Sequence, residues 1–156
     1  YGETVQGDAW RGPTGEISLI RRLFIDTDIV LDVALAREPF VSASSMILAM
    51  AENNLVTGTM SSNAIANVYY VLRKAGGDAK ARVFIGKLLH YLTVITIDHQ
   101  NVLDALISDF SDFEDALQNC SAVENQCDYI ITRNTNDYKN SALRVATPEE
   151  FLRLFR

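Results

Sequence analysis

The stretch from Leu23 to Leu31 constrains the fold more than any other part of the chain. Residues 23–25 are apolar and typical of a buried strand, Asp26 ends them, and a helical pattern begins directly afterwards. In an open α/β sheet, ligands bind outside the carboxyl ends of the strands. We therefore expect Asp26 to lie at the functional edge of such a sheet.

Strand-like and helix-like segments alternate along the rest of the chain, and their alternation predicts the fold class. The predicted strands are 23–25, 55–60, 93–97, 129–132 and 143–145. The predicted helices include 28–36, 40–53, 79–91, 101–108 and 112–124. Between the second and third of these, Ser61 or Ser62 caps another helix, which stops at Gly76-Gly77. Thr147 caps a closing helix. This order predicts an α/β fold with a central parallel sheet of four to five strands, flanked by helices on both faces.

Length and composition predict one globular domain. The chain has 156 residues, of which 48% are hydrophobic, enough for a single core. We assign residues 1–18 to a flexible leader or an expression-tag remnant and residues 19–156 to the domain. No apolar run reaches the length of a membrane span and the start does not resemble a secretory signal, so we expect a cytoplasmic protein without a membrane partner.

Neither the cysteines nor the net charge identifies a partner. Cys120 and Cys127 fit no zinc-binding spacing and are predicted to be buried thiols. The net charge of −6 argues against a general polyanion-binding surface. It remains compatible with nucleic-acid binding through a bound divalent cation, which needs acidic ligands.

Acidic and amide side chains recur where the predicted fold can gather them. They are Asp26 after the first strand, Asn67 on the third helix, Asp112 and Asp115 on a later helix, and Asn134 and Asp137 after the fourth strand. Crowded carboxylates repel each other unless a cation neutralises them, and oxygen ligands suit Mg²⁺ or Mn²⁺. Such an ion can activate water and stabilise charge on a phosphate, which points to phosphodiester hydrolysis.

Four segments in this order resemble the motifs of PIN-domain nucleases, including VapC-type toxins. The segments are Phe24-Ile25-Asp26-Thr27-Asp28-Ile29, residues 62–72 (SNAIANVYYVL), Asp112-Phe113-Glu114-Asp115-Ala116-Leu117, and residues 128–138 (DYIITRNTNDY). The resemblance covers about residues 21–155. Their order and their placement on strand and helix ends are more specific than any one motif.

The resemblance implies a PIN-like fold and a metal-dependent endoribonuclease that cleaves single-stranded RNA. Asp26 matches the family's first acid and Asp115 its helix-borne acid. Thr132 and Asn134 fall in the family's Thr/Ser-x-Asp segment, and Asp137 is the nearest carboxylate there. We therefore predict Asp26, Asp115 and Asp137 as the catalytic and metal-binding residues, with Mg²⁺ or Mn²⁺ as the cofactor.

The sequence departs from the family pattern at two positions. Asn67 stands where the family usually has Glu, and Asn134 where it often has Asp, so the site carries less negative charge. Asp28 and Asp112 are candidates to compensate, and together with Asn67, Thr132 and Asn134 they form the predicted supporting set. The basic side chains of Arg133 and Lys139 are candidates for contacting the substrate phosphate.

The same resemblance implies the protein's partners. Besides the RNA substrate, it suggests an antitoxin protein and a homodimer. A hydrophobic groove beside the first three helices is where we expect a partner to bind.

Other interpretations of these residues stay open at this point. Asp26 and Asp112 can be helix N-caps, Asp115 a solvated acid, and Asn134 and Asp137 ordinary turn residues. A degenerate PIN-like module would bind RNA or protein without cleaving. Asp26-Thr27-Asp28 also fits the opening motif of haloacid-dehalogenase-like phosphatases, with a nucleophile and a general acid.

Overall fold

A computed structural model gives the structure of the protein and describes residues 10–11, 17–18 and 21–155. Trp10–Arg11 and Ile17–Ser18 pair as short antiparallel strands. The predicted leader, residues 1–18, otherwise lies outside the described residues. Its boundary with the domain therefore stays a prediction.

Five parallel strands form the central sheet, which confirms the predicted fold class. The strands are β1 Arg21–Ile25, β2 Val56–Ser61, β3 Leu92–Ile95, β4 Tyr129–Ile131 and β5 Arg144–Ala146. Their order across the sheet is β3-β2-β1-β4-β5, so β1 is central. The β1 residue Leu23 is in register with Gly58 on one side, and Ile25 with Ile131 on the other.

Seven helices and one 3-10 turn connect and cover the strands in the described part of the chain. The helices are α1 Thr27–Ala34, α2 Val41–Glu52, α3 Ser62–Gly76, α4 Asp78–Leu88, α5 His99–Leu106, α6 Phe113–Glu124 and α7 Pro148–Arg153. The 3-10 turn is Thr135–Tyr138, within the segment predicted as a polar loop. None of the described helices combines the length and apolar character needed to span a bilayer.

Alternation along β1 divides the core between the two faces of the sheet. Leu23 and Ile25 belong to the larger apolar cluster, which includes residues of α1, α2, α3, α4 and α7. Phe24 points to the opposite face, where it joins Ile130 and Ala122 of α6. Because both faces are covered, the buried residues 23–25 of this strand are all apolar, as is typical of parallel sheets. The chain becomes polar where β1 ends, at Asp26.

Gly58 lets β2 approach its neighbours closely. A Cβ atom at this position would clash with Leu92 and crowd Ala51 and Ile25. The glycine is therefore a packing requirement of the sheet that carries the site.

The predicted helix caps agree with the structure, while the strand boundaries differ by one or two residues, most of them by one. Thr147 and Glu150 form the expected capping box, and Ser61 caps α3. The third strand was predicted to continue to 97 and to end at Asp98, but β3 ends at Ile95. The Thr96 carbonyl accepts a hydrogen bond from Ser121 Oγ (2.7 Å), so the chain has left the sheet there. Asp98 caps α5 through a capping box.

The two cysteines differ in their burial. Cys127 is buried as predicted, whereas Cys120 is only partly buried. Both are free thiols, so neither constrains the fold covalently.

Candidate active site

Asp26 lies at the carboxyl end of the central strand, as the sequence predicted. Its backbone N–H donates to the Ile131 carbonyl (3.0 Å), which extends the β1 and β4 pairing by one residue. Its Oδ1 accepts from the Thr27 backbone N–H (2.8 Å), so Asp26 is also the N-cap of α1. Its Oδ2 accepts from the Thr132 hydroxyl (2.8 Å). Asp26 can therefore cap α1 and also have a functional role, because its two carboxylate oxygens have separate partners.

The surroundings of Asp26 disfavour its charged form. Burial raises the pKa of the Asp26 carboxyl, and the negative charges of Asp28 and Glu114 raise it further. The hydrogen bonds from Thr132 and Thr27 act in the opposite direction. Asp26 is thus a desolvated carboxyl with acidic neighbours at the edge of the sheet. A bound cation would stabilise the charged form of such a group.

The N-terminus of α6 brings a second carboxylate to the same place. Asp112 is the N-cap of α6, and its Oδ1 accepts from the Asp115 backbone N–H (2.9 Å). Asp112 thus lies outside the helix, and the capping interpretation of this residue is confirmed. Asp115 is partly buried in the first turn, where the backbone N–H groups favour a negative charge.

The surroundings of the Asp115 carboxyl also disfavour its charged form. Burial, then Asp112 and Asp26, raise the pKa of Asp115 from 3.8 to about 6. Asp137 adds a smaller contribution in the same direction. Because the Asp26 charge raises the pKa of Asp115, and both charges raise the pKa of Tyr138, the two carboxyls lie at one site.

Tyr138 borders this site and was missed by the sequence analysis. Its side chain is 1% exposed, and its hydroxyl has no hydrogen bond of regular geometry among the described residues. Burial, followed by the charges of Asp26 and Asp115, raises the pKa of Tyr138. The hydroxyl therefore stays protonated and can donate toward the acids, which lowers the pKa of Asp115.

The segment after β4 surrounds the carboxylates. The Thr132 hydroxyl donates to Asp26 and accepts from the Asn134 backbone N–H (3.1 Å). The Asn134 carbonyl accepts from the Asp137 backbone N–H (3.0 Å), which closes the turn. The side chains of Asn134 and Asp137 are exposed. Thr132 therefore positions Asp26, while Asp137 lies at the open side of the site.

Asn67 contacts a carboxylate that the sequence analysis did not select. Its Nδ2 donates to Glu114 Oε1 (2.7 Å), which links α3 to α6. Glu114 is close enough to Asp26 and Tyr138 to raise the pKa of both. The sequence does not distinguish Glu114 from its neighbour Asp115 on the same helix. Only the fold shows that Glu114 pairs with Asn67.

Arg133 and Asp28 belong to a neighbouring charged network. Arg133 Nε lies 3.1 Å from Oδ2 of Asp32, whose side chain is fully buried. The Arg133 guanidinium also stacks 4.0 Å from the Phe40 ring centroid and lies 3.8 Å from Asp28. Arg37 lies 3.6 Å from the same Asp28 carboxylate. The Asp28 and Asp32 carboxylates therefore compensate much of the Arg133 charge within the protein. The Lys139 side chain, in contrast, is exposed. A phosphate role for either base stays a prediction.

The side chains near Asp26 and Asp115 fit a hard divalent cation by their chemistry. The donors are carboxylate and amide oxygens, which Mg²⁺ and Mn²⁺ prefer. Within the described residues, no three His, Cys, Asp or Glu side chains converge as a ready-made metal cage. Mg²⁺ commonly keeps several waters and uses only one or two protein carboxylates. Asp26 and Asp115 would supply these two, with Asp137 and Glu114 nearby.

The fold and this cluster define an α/β domain with an acidic site at the carboxyl edge of its parallel sheet. The sequence profile of the PIN domain matches residues 22–136. The chain belongs to the PIN-domain family. This assignment favours the nuclease interpretation over the phosphatase alternative.

Solved structures of toxins and toxin-antitoxin complexes share this fold. A toxin-antitoxin complex from Klebsiella pneumoniae matches with a TM-score of 0.61 at 22% identity, covering 81% of this chain and 97% of that chain. VapBC-1 from nontypeable Haemophilus influenzae matches with a TM-score of 0.61 at 16% identity, covering 82% and 98%. The sarcin-ricin loop cleaving toxin VapC20 from Mycobacterium tuberculosis matches with a TM-score of 0.60 at 13% identity, covering 78% and 98%. No curated protein matches the chain.

The raised pKa of Asp115 predicts a pH dependence of stability for the metal-free protein. The fold favours the protonated carboxyl, so Asp115 destabilises the folded state as pH rises through about 6 and has no effect below about pH 4. After allowance for solvent screening, we expect Asp115→Asn to stabilise the protein by about 1–2 kcal/mol at about pH 8. Urea unfolding in EDTA at about pH 8 and about pH 4 measures the difference.

The exposed acid Asp109 supplies the control for this measurement. Asp109→Asn should have little effect at either pH. A gain from Asp115→Asn that is equal at the two pH values would contradict the proposed electrostatic cause.

Proposed function

We propose that this protein is a metal-dependent endoribonuclease that cleaves single-stranded RNA, and that it acts as the toxin of a toxin-antitoxin pair. The observation that carries the proposal is the pairing of two desolvated carboxylates, Asp26 and Asp115, at the carboxyl edge of a PIN-domain sheet. Structural similarity to VapC20 and to VapBC-1 supports the same conclusion.

Each residue has a defined part in this proposal. Asp26, Asp115 and Asp137 would hold Mg²⁺ or Mn²⁺, which when bound orients a water, lowers its pKa and stabilises charge developing on the phosphate. Thr132 and Thr27 hold the Asp26 carboxylate in a fixed orientation through its two oxygens. Tyr138 is buried beside the Asp26 and Asp115 carboxyls, whose charges raise the pKa of its hydroxyl. Lys139, exposed beside Tyr138, is the better placed of the two candidate bases for the RNA backbone.

Antitoxin binding is proposed for a groove between α3 and α4. The groove has a volume of about 500 Å³ and is lined by residues that include Ile65, Tyr69, Tyr70 and Leu89. Tyr70 is 63% exposed and Leu89 is 41% exposed, an arrangement suited to an apolar partner helix. Similar proteins have been solved as toxin-antitoxin complexes. The homodimer stays a prediction.

The test is cleavage of a mixed single-stranded RNA by the purified chain with Mg²⁺, with Mn²⁺ and with EDTA. We expect cleavage with either ion and none in EDTA. Calorimetric titration with Mn²⁺ separates the nuclease from a degenerate binding module, because a module without a metal site should give no heat of binding at millimolar Mn²⁺. Cleavage that persists in EDTA would contradict the proposal.

A further inference from the structure

One hydrogen bond crosses between two helices beside the candidate active site. Asn67 on α3 donates from Nδ2 to Glu114 Oε1 on α6, at 2.7 Å. Asn67 carries no charge, so it adds no electrostatic attraction for a cation. Its amide instead fixes the direction of a carboxylate that comes from the other helix.

The position of Glu114 makes this carboxylate available to the site. Glu114 lies next to Asp115 in the first turn of α6, and its side chain is exposed. It lies close enough to both Asp26 and Tyr138 to act on them electrostatically. Since Asn67 contacts only Oε1, the other carboxylate oxygen is left for a ligand or a bound water.

We propose that Glu114 is a further carboxylate of the metal site, directed there from α6 by its hydrogen bond to Asn67. This inference rests on the proposed function, since it assigns an additional residue to the same site. Glu114 would help to hold the ion through the carboxylate oxygen that Asn67 leaves free, and Asn67 is a positioning residue. The negative charge that α3 lacks at Asn67 is thereby supplied by α6.

The described residues contain a matched pair in which the same contact lies away from the candidate active site. Asn101 Nδ2 on α5 donates to Glu124 Oε2 at the other end of α6, also at 2.7 Å. Both pairs join an Asn to a Glu of α6 across two helices. If Glu114 is only a tether between helices, its replacement should resemble the replacement of Glu124.

The experiment measures Mn²⁺ affinity by calorimetry in the full chain, with circular dichroism and urea unfolding on each variant. We expect Glu114→Gln to weaken Mn²⁺ binding about tenfold, at the low end of the 10–100-fold typical of residues that support a metal site. Asn67→Glu combined with Glu114→Gln moves the charge to α3 and keeps a hydrogen bond possible, so it should recover most of the affinity. Glu124→Gln should leave Mn²⁺ affinity unchanged.

The outcomes separate this inference from the proposed function. If wild type binds Mn²⁺, Asp26→Asn loses binding and folded Glu114→Gln keeps it, the inference is overturned and the proposed function stands. If wild type gives no heat with Mn²⁺, both fall. Should Glu114→Gln fail to fold, Asn67→Ala decides: it keeps the Glu114 charge but removes the hydrogen bond that directs the carboxylate, and unchanged Mn²⁺ affinity in that variant overturns the inference.

Discussion

Asp26→Asn should lower RNA cleavage by about a thousandfold or more, equivalent to about 4 kcal/mol of transition-state stabilisation. The substitution removes the negative charge of the carboxylate at the centre of the site but keeps its size. The amide oxygen can still accept from the Thr27 N–H, and Asn caps helices as well as Asp does. The loss should therefore appear in cleavage and in Mn²⁺ binding rather than in folding.

Thr132 is the one partner that this variant disturbs. Its hydroxyl now donates to Asp26 Oδ2 and accepts from the Asn134 N–H. An amide nitrogen in place of Oδ2 cannot accept that proton, so one hydrogen bond is lost. The neutral amide also avoids the cost of burying a charged carboxylate, a cost that is evident because burial raises the pKa of Asp26. This gain offsets the lost hydrogen bond. We expect a change in unfolding free energy of less than about 1 kcal/mol.

Asp98→Asn is the matched control for Asp26→Asn. Asp98 caps α5 with the same chemistry, accepting at Oδ1 from the Asn101 N–H (2.9 Å), and it follows β3 rather than the central strand. This variant should cleave RNA at the wild-type rate. Cleavage assays with Mn²⁺ on both variants give the comparison, and full activity in Asp26→Asn would remove the basis for the proposed nuclease.

The fold was predictable because its signals are local. An apolar run that ends in Asp26 marks a buried parallel strand, and Thr147-Pro148 with Glu150 marks a helix start. The extent of β3 was less predictable. Thr96 and Ile97 have strand-like side chains, but a contact from Ser121 of α6 takes the Thr96 carbonyl out of the sheet.

The site was predictable only in part because its remaining contacts join distant segments. The motifs indicated Asp26, which follows a recognisable strand, and Asp115, which precedes a recognisable helical pattern. No motif singled out Asp32, which is fully buried against Arg133. The pairing of Glu114 with Asn67 depends on how α3 and α6 pack, and helical periodicity within either segment does not determine that packing.

Arg133→Met should lower the free energy of unfolding by about 3 kcal/mol, because it leaves the buried Asp32 carboxylate without its nearest cation. Arg133 Nε lies 3.1 Å from Asp32, and the guanidinium also stacks on Phe40. Ser44 Oγ donates to Asp32 (3.1 Å) and Arg37 lies 4.0 Å away, so the loss should fall at the lower end of the range for broken buried pairs. Urea unfolding at neutral pH measures it.

Two further variants assign the effect to the ion pair. Arg37→Met removes a cation that is more exposed and farther from Asp32, so it should cost less than about 1 kcal/mol. Adding Asp32→Asn to Arg133→Met removes the buried charge itself, and an amide oxygen can still accept from Ser44. Most of the lost stability should return, because removing both partners of a buried pair costs far less than removing one.

The same variant decides what Arg133 does in the proposed reaction. If Arg133 mainly holds Asp32, Arg133→Met kept at a temperature where it is folded should show a KM for RNA close to that of wild type. Lys139→Met, which removes an exposed charge at the same turn, should raise KM without changing stability. A large rise in KM for Arg133→Met with unchanged stability would instead establish Arg133 as the phosphate-binding residue. We expect a loss of stability rather than this rise in KM, because the charge of the buried Asp32 carboxylate must be compensated within the fold whether or not RNA is bound.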